Sequence, residues 1–158
     1  MRHIVLVALV LAAACQHAAK PEATTAGAPE DVAAAAKGAI EEWREAYEVR
    51  SADALGKLYA HDPDLVVVRD GQALTGWPAV QAMVKDQLAR AKEIHIKLKD
   101  THVKSLAPTV ATATATMSRE IGDGVTTVTE QGVLTLVLRK DEGGWKIVVE
   151  HYSYRRPE

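Results

Sequence analysis

The chain has 158 residues, with 19 basic and 21 acidic side chains, six histidines, one cysteine and no phenylalanine. A formal charge of -2 offers no cationic footprint for a polyanion, so nucleic-acid binding is not expected. One cysteine excludes a disulfide framework within the chain and leaves no thiol set for structural zinc.

Arg2 is followed by the uncharged apolar run Ile4 to Ala14. A membrane-spanning helix needs about 20 apolar residues, whereas a run of about 7 to 15 after a cation, closed by small residues, is a secretion signal. Residues 1–14 therefore read as a signal peptide. Leu11, Ala12, Ala13, Ala14 and Cys15 resemble the lipobox of bacterial lipoproteins, which implies lipid attachment at Cys15 and cleavage before it. The alternative is an ordinary secreted protein in which Cys15 is incidental. Gln16 is not the aspartate associated with inner-membrane retention. The expected location is the bacterial cell envelope, lipid-anchored on the periplasmic side or at the outer membrane.

Residues 15–31 carry the anchor cysteine and a stretch rich in Ala, Thr and Pro without apolar periodicity, the composition of a flexible tether. Residues 32–156 are left for a single folded domain, a length that suits one hydrophobic core. Without Arg2 the mature chain holds 18 basic and 21 acidic residues.

From Pro29 to Arg50, apolar residues at Val32, Ala35, Ala36, Ala39, Ile40, Trp43, Ala46 and Tyr47 keep helical spacing, and Glu30 and Asp31 suit a first turn. Ser51 can cap a short second helix through Tyr59, which Asp62 and Pro63 end. A strand at Leu65 to Arg69 turns at Asp70 and Gly71 into the return Ala73 to Thr75, and Gly76, Trp77 and Pro78 open a third helix. Four strands follow, at 93–106, 109–121, 125–138 and 145–154, separated by turn residues. Helices first and strands last give an α+β fold.

Ser51 to Leu55, Leu58 to Asp62, Val66 to Val68 with the Asp70–Gly71 turn, Gly76, and Gly144 to Ser153 together resemble the SnoaL-like branch of the nuclear-transport-factor-2-like superfamily. The resemblance runs over nearly all of residues 32–156. It implies a cone: a curved antiparallel sheet and three N-terminal helices enclosing a pocket, with homodimerisation through the outer sheet face. It does not imply an activity, because the superfamily holds isomerases, dehydratases, hydrolases and binding modules.

Strand alternation puts Trp145, Ile147, Val149, His151 and Ser153 on one face of the last strand, expected to be the inner one. His151 would then be a ligand-orienting donor, a general base, or a core histidine held by a backbone carbonyl or a carboxylate. In the strand from Val110, Ala111, Ala113, Ala115, Met117 and Arg119 share the inner face, and the small alanines are expected to leave a cavity. Arg119 would hold an anionic ligand at the cavity mouth, pair with a helix carboxylate such as Glu42 or Glu45, or stand exposed at a strand end. Trp43, Tyr47 and Tyr59 should roof the pocket, and a buried Tyr59 phenol needs a partner.

Asp62 and Asp100 are alternative bases, Asp62 with the competing role of a turn residue. The glycines from Gly71 to Gly76 have phosphate-loop spacing, but Trp77 and Pro78 replace the lysine and hydroxyl residue that bind phosphate. The six histidines show no close metal-ligand pair, no Gly-x-Ser-x-Gly elbow is present, and neither metal nor cofactor is expected. Two functions remain open: a tethered module that binds a small apolar or amphipathic molecule or a partner protein, and a metal-free isomerase or hydrolase using His151, Asp100 or Asp62, with Tyr59 and Arg119.

Overall fold

The computed structural model describes residues 28–155; Cys15, the signal segment and residues 16–27 of the tether lie outside the described residues. Helix α1 (Pro29–Glu48) starts with proline in its first turn, where no amide donor is lost, and with Glu30 and Asp31 against the positive end of the helix dipole. Its buried stripe is Val32, Ala36, Ala39, Ile40, Trp43, Ala46 and Tyr47. At its other end the Glu48 carboxylate accepts from the Ile96 backbone N–H at 2.9 Å, tying the helix to the sheet. Helix α2 (Ala52–Leu58) is capped by Ser51, whose hydroxyl accepts from Ala54 N–H at 3.1 Å.

Strands β1 (Val66–Arg69) and β2 (Gln72–Thr75) form a hairpin around Asp70 and Gly71, both at positive φ. Gly76 caps helix α3 (Trp77–Arg90) at φ +80°, a conformation that strains any residue with a Cβ. Strands β3 (Glu93–Ala107), β4 (Val110–Gly122), β5 (Thr127–Asp141) and β6 (Gly144–Arg155) follow as a meander. The six strands form one open sheet in the order β2-β1-β6-β5-β4-β3. The sheet is mixed, because β1 lies parallel to β6 while every other pairing is antiparallel. β6 comes back to β1 only after the whole β3–β5 run, so no hairpin dictates their relative direction. α1 packs against β3, β4 and β6, and the three helices with the curved sheet make the α+β cone.

Two local features of β5 and β6 decide which side chains reach the interior. Gly132 sits so close to β6 that an added Cβ would lie 1.9 Å from the Ser153 carbonyl oxygen, so only glycine fits. Pairing passes from Val137–Val149 to Leu138–Ile147, which leaves Val148 as an extra residue in β6. Trp145 and Ile147 point inward before this bulge, and Glu150 and Tyr152 point inward after it. His151 and Ser153, expected on the inner face by strict alternation, are instead exposed on the outer one. A single inserted residue turns the rest of the strand over.

The β4 alternation holds along its length. Ala111, Ala113, Ala115, Met117 and Arg119 are buried, and Thr114 and Thr116 are exposed. The alanines belong to the packed interior and none of them lines the cavity described below, which lies elsewhere in the cone.

Candidate functional site

A polar cluster lies inside the cone where β1, β6 and the helices meet. Glu150, fully buried by the turned-over end of β6, accepts from Tyr59 Oη and from Arg69 Nη2 in two short contacts, and from Arg69 Nε at 3.0 Å. Tyr59 Oη accepts from the Trp43 indole N–H at 3.0 Å and lies 3.4 Å from Tyr47 Oη. Arg69 also donates to Tyr47 Oη and to Gln87 Oε1, each at 2.9 Å. Its Nε, Nη1 and Nη2 are thus all engaged. A guanidinium brings five N–H donors, and here they are spent on holding β1, β6, α1 and α3 together.

Electrostatics fix the charge states of this cluster. Burial pushes the Tyr59 phenol well above its usual pKa, and the Glu150 carboxylate beside it pushes the same way. Burial is the largest influence on Arg69 and opposes its charge, but Glu150, Tyr47 and Tyr59 together outweigh it and keep the guanidinium protonated. Tyr59 is therefore a hydrogen-bond donor, not a proton carrier at neutral pH.

Beside this cluster opens a cavity of about 460 Å³. Its apolar wall includes Leu74, Met83, Ala91, Ile121 and Val128, and its polar lining includes Arg69, Gln87, Arg119, Glu130 and Tyr154. Arg119 is a second buried arginine, side-on to a carboxylate: Nε and Nη2 both donate to Glu130 Oε2, at 3.0 and 2.5 Å. Its guanidinium carbon stands 5.2 Å from the Tyr152 ring centre and 6.0 Å from that of Tyr154, within cation–π range. Among the described residues, Arg119 Nη1 has no hydrogen-bond partner, and neither has the Gln87 amide nitrogen. The cavity therefore presents donors alongside apolar surface, a lining that suits a small amphipathic molecule.

Of the expected pocket residues, Arg119 alone lines this cavity; Tyr47 accepts from Arg69, Tyr59 donates to Glu150 and lines a second cavity with His61 and Trp77, and Trp43 donates to Tyr59. His151 and Ser153 lie on the opposite face of the sheet. Asp62 is not in the cavity either. It accepts from Arg139 Nη2 at 2.6 Å and from Asp64 N–H at 3.1 Å, and the Arg139 bond first, helped by its charge, lowers the Asp62 pKa. Asp100 is exposed at φ +51° in a β3 bulge between Lys99 and His102. The candidate catalytic set of His151, Asp100 or Asp62, Tyr59 and Arg119 is therefore not brought together. Among the described residues no group of three His, Cys, Asp or Glu side chains could hold a metal ion.

Sequence reading missed Arg69, Gln87, Glu130, Glu150 and Tyr154. Glu130 carried a usable signal: folding the chain back across Gly122–Thr127 brings Arg119 opposite Glu130 in register. Glu150 carried none, because its inward turn depends on the bulge at Val148. Arg69 needs the parallel β1–β6 pairing, a contact between residues distant in sequence.

The family model for the SnoaL-like domain matches residues 37–157. No curated protein matches the chain in sequence. A solved structure from Streptomyces avermitilis, named as a candidate dehydratase of the NTF2-like family, is 26% identical, with a TM-score of 0.73 over 80% of this chain and 97% of that one. One named as a candidate aromatic ring hydroxylase, from Novosphingobium aromaticivorans, is 16% identical, with a TM-score of 0.73 over 83% and 96%. An NTF2-like superfamily protein from Salmonella enterica is 17% identical, with a TM-score of 0.71 over 78% and 91%. The last two show likeness of fold alone. The chain belongs to the SnoaL-like domain family of the NTF2-like fold.

Proposed function

We propose that this SnoaL-like domain is a binding module tethered in the cell envelope, and that its cavity takes a small amphipathic molecule carrying a hydrogen-bond acceptor at one end. The observation that carries this reading is Arg119, which lines the cavity and whose Nη1 has no hydrogen-bond partner among the described residues. A carbonyl or carboxylate oxygen is the natural complement of such a donor, and the Gln87 amide nitrogen supplies a second one. The aliphatic wall of Leu74, Met83, Ile121 and Val128 suits the rest of the molecule.

The anchor is part of the same proposal. It rests on the apolar run Ile4–Ala14 and the lipobox-like residues ending in Cys15. Labelled fatty acid should be incorporated by the full chain and not by Cys15→Ala; equal labelling of both would overturn it. Homodimerisation is proposed on the outer face of the sheet, around Val133, which is 49% exposed, with Thr116 and Ser153 paired beside it.

Prodan, a bicyclic aromatic ketone whose emission shifts to the blue in an apolar site, tests the cavity. Wild-type protein should bind it with a blue shift. Ile121→Trp should fill the space and abolish binding, and Arg119→Lys should weaken it about tenfold, the order of one hydrogen bond to a charged group. Binding unaffected by both substitutions would overturn the proposal.

A further inference from the structure

The charges around the cavity decide which acceptor it can take. Its lining holds three cations, Arg69, Arg90 and Arg119, and three anions, Asp70, Asp123 and Glu130. Every one of these arginines is met by a carboxylate: Arg119 by Glu130 at 2.5 Å, Arg90 by Asp86 at 2.5 Å, and Arg69 by Glu150. Glu150 and Asp86 stand outside the lining, so the wall and the groups directly behind it hold three cations and five anions. Nearer the rim, Arg50 donates to the Ala91 carbonyl at 2.9 Å and Lys92 lies against Gly124, while Glu93 lies against Gly122. With these included, the cavity still has no surplus of positive charge.

What the lining does have is N–H donors without a partner among the described residues. Arg119 Nη1 is one, and the Gln87 amide nitrogen is another, since Gln87 Oε1 already accepts from Arg69. Each calls for an oxygen lone pair, and neither brings a charge that a carboxylate has not already met. An ionised acid entering here gives up its water for these hydrogen bonds alone, with Glu130 and Glu150 close by to repel it. A ketone, ester or amide oxygen accepts from the same donors and has no charge to desolvate. An ammonium group meets the acids but has no lone pair for the donors.

We propose, resting on the cavity reading above, that the cavity selects electrically neutral carbonyl compounds and turns away free carboxylates. Arg119 taken alone suits an anionic ligand. Glu130, its partner across the β4–β5 ladder, fills that role from inside the protein and leaves the arginine a directional N–H without a net charge to offer. Glu130 is 2% exposed, so water does little to screen the pair. It is thereby the residue that sets the selectivity.

The test sets probes of equal carbon number, methyl hexyl ketone, octanoate and octylamine, to compete with prodan for the wild-type protein. At about pH 7.5 octanoate should displace prodan at least about 100-fold less well than the ketone, and it should gain about tenfold for each unit that pH falls towards about 5.5, as its neutral form accumulates. The ketone should keep one affinity over this range, for no histidine lines the cavity. Octylamine should stay at least about tenfold behind the ketone, the order of one lost hydrogen bond to a charged donor. Glu130→Gln should narrow the gap between ketone and octanoate about tenfold or more by releasing the Arg119 charge; where that variant fails to fold, the wild-type comparison decides alone. Octanoate within about tenfold of the ketone at about pH 7.5, octanoate whose competition ignores pH, or octylamine ahead of the ketone would overturn the selectivity. Where prodan binds wild type and Ile121→Trp abolishes that binding, such a result leaves the cavity standing. Prodan that binds Ile121→Trp as well as wild type overturns the cavity and the selectivity together.

Discussion

Two buried arginine–glutamate pairs stand within the same cone, and they differ in what is left over. Arg69 with Glu150 is closed: its three nitrogens meet Glu150, Tyr47 and Gln87, and the Glu150 carboxylate also takes the Tyr59 phenol. Arg119 with Glu130 is open on one side, since Nη1 has no partner among the described residues and the side chain lines the cavity. A saturated pair contributes to folding and has little to offer a ligand. A pair with one donor to spare is held rigidly by its carboxylate and aromatic neighbours and can orient a guest at small entropic cost.

The largest effect should come from breaking the closed pair. Glu150→Ala strands the Arg69 charge, of which only 10% of the side chain is exposed, and should cost about 3–5 kcal/mol in urea unfolding. Next, Arg119→Lys keeps a cation opposite Glu130 but removes the planar fork. Its effect should fall on ligand affinity, about 1.4 kcal/mol for a tenfold loss of prodan binding, more than on stability.

Tyr59→Phe should cost about 1 kcal/mol at neutral pH by removing one buried hydrogen bond. It should also alter the alkaline limb. The folded pKa of Tyr59 lies above its unfolded value near 10, so its contribution is whole below about pH 10 and is lost as pH rises through the folded pKa. Wild-type stability should therefore fall more steeply above about pH 10 than that of Tyr59→Phe, which a series of unfolding curves would show. The smallest effect is expected at Trp145, whose buried indole N–H has no partner among the described residues. Trp145→Phe forfeits no hydrogen bond there, and should cost less than Trp43→Phe, whose indole donates to Tyr59.

The same contrast explains how far the sequence could be read. Helix α1 follows from a 3.6-residue stripe, Ser51 from its capping chemistry, and the meander from turn residues such as Gly122 and Gly144, all of them local signals. Arg119 was legible because β4 alternates without interruption. The closed pair was not. Glu150 faces inward because Val148 is bulged, and Arg69 reaches it because β1 joins β6 in parallel, so both depend on tertiary pairing that no local pattern encodes. For the same reason His151 and Ser153 were placed on the wrong side. An alternation rule fails at the first extra residue, and it fails for every residue after it.

The difference between the two arginines can be observed without mutation. In protein labelled with nitrogen-15, the guanidinium resonances of Arg69 and Arg119 can be followed while prodan is titrated into the cavity. The account predicts that Arg119 Nη1 takes the larger shift with saturation, while Arg69, which lines the same cavity but has all its donors engaged, moves less; a larger shift at Arg69 than at Arg119, or none at either arginine while prodan binds, would contradict it.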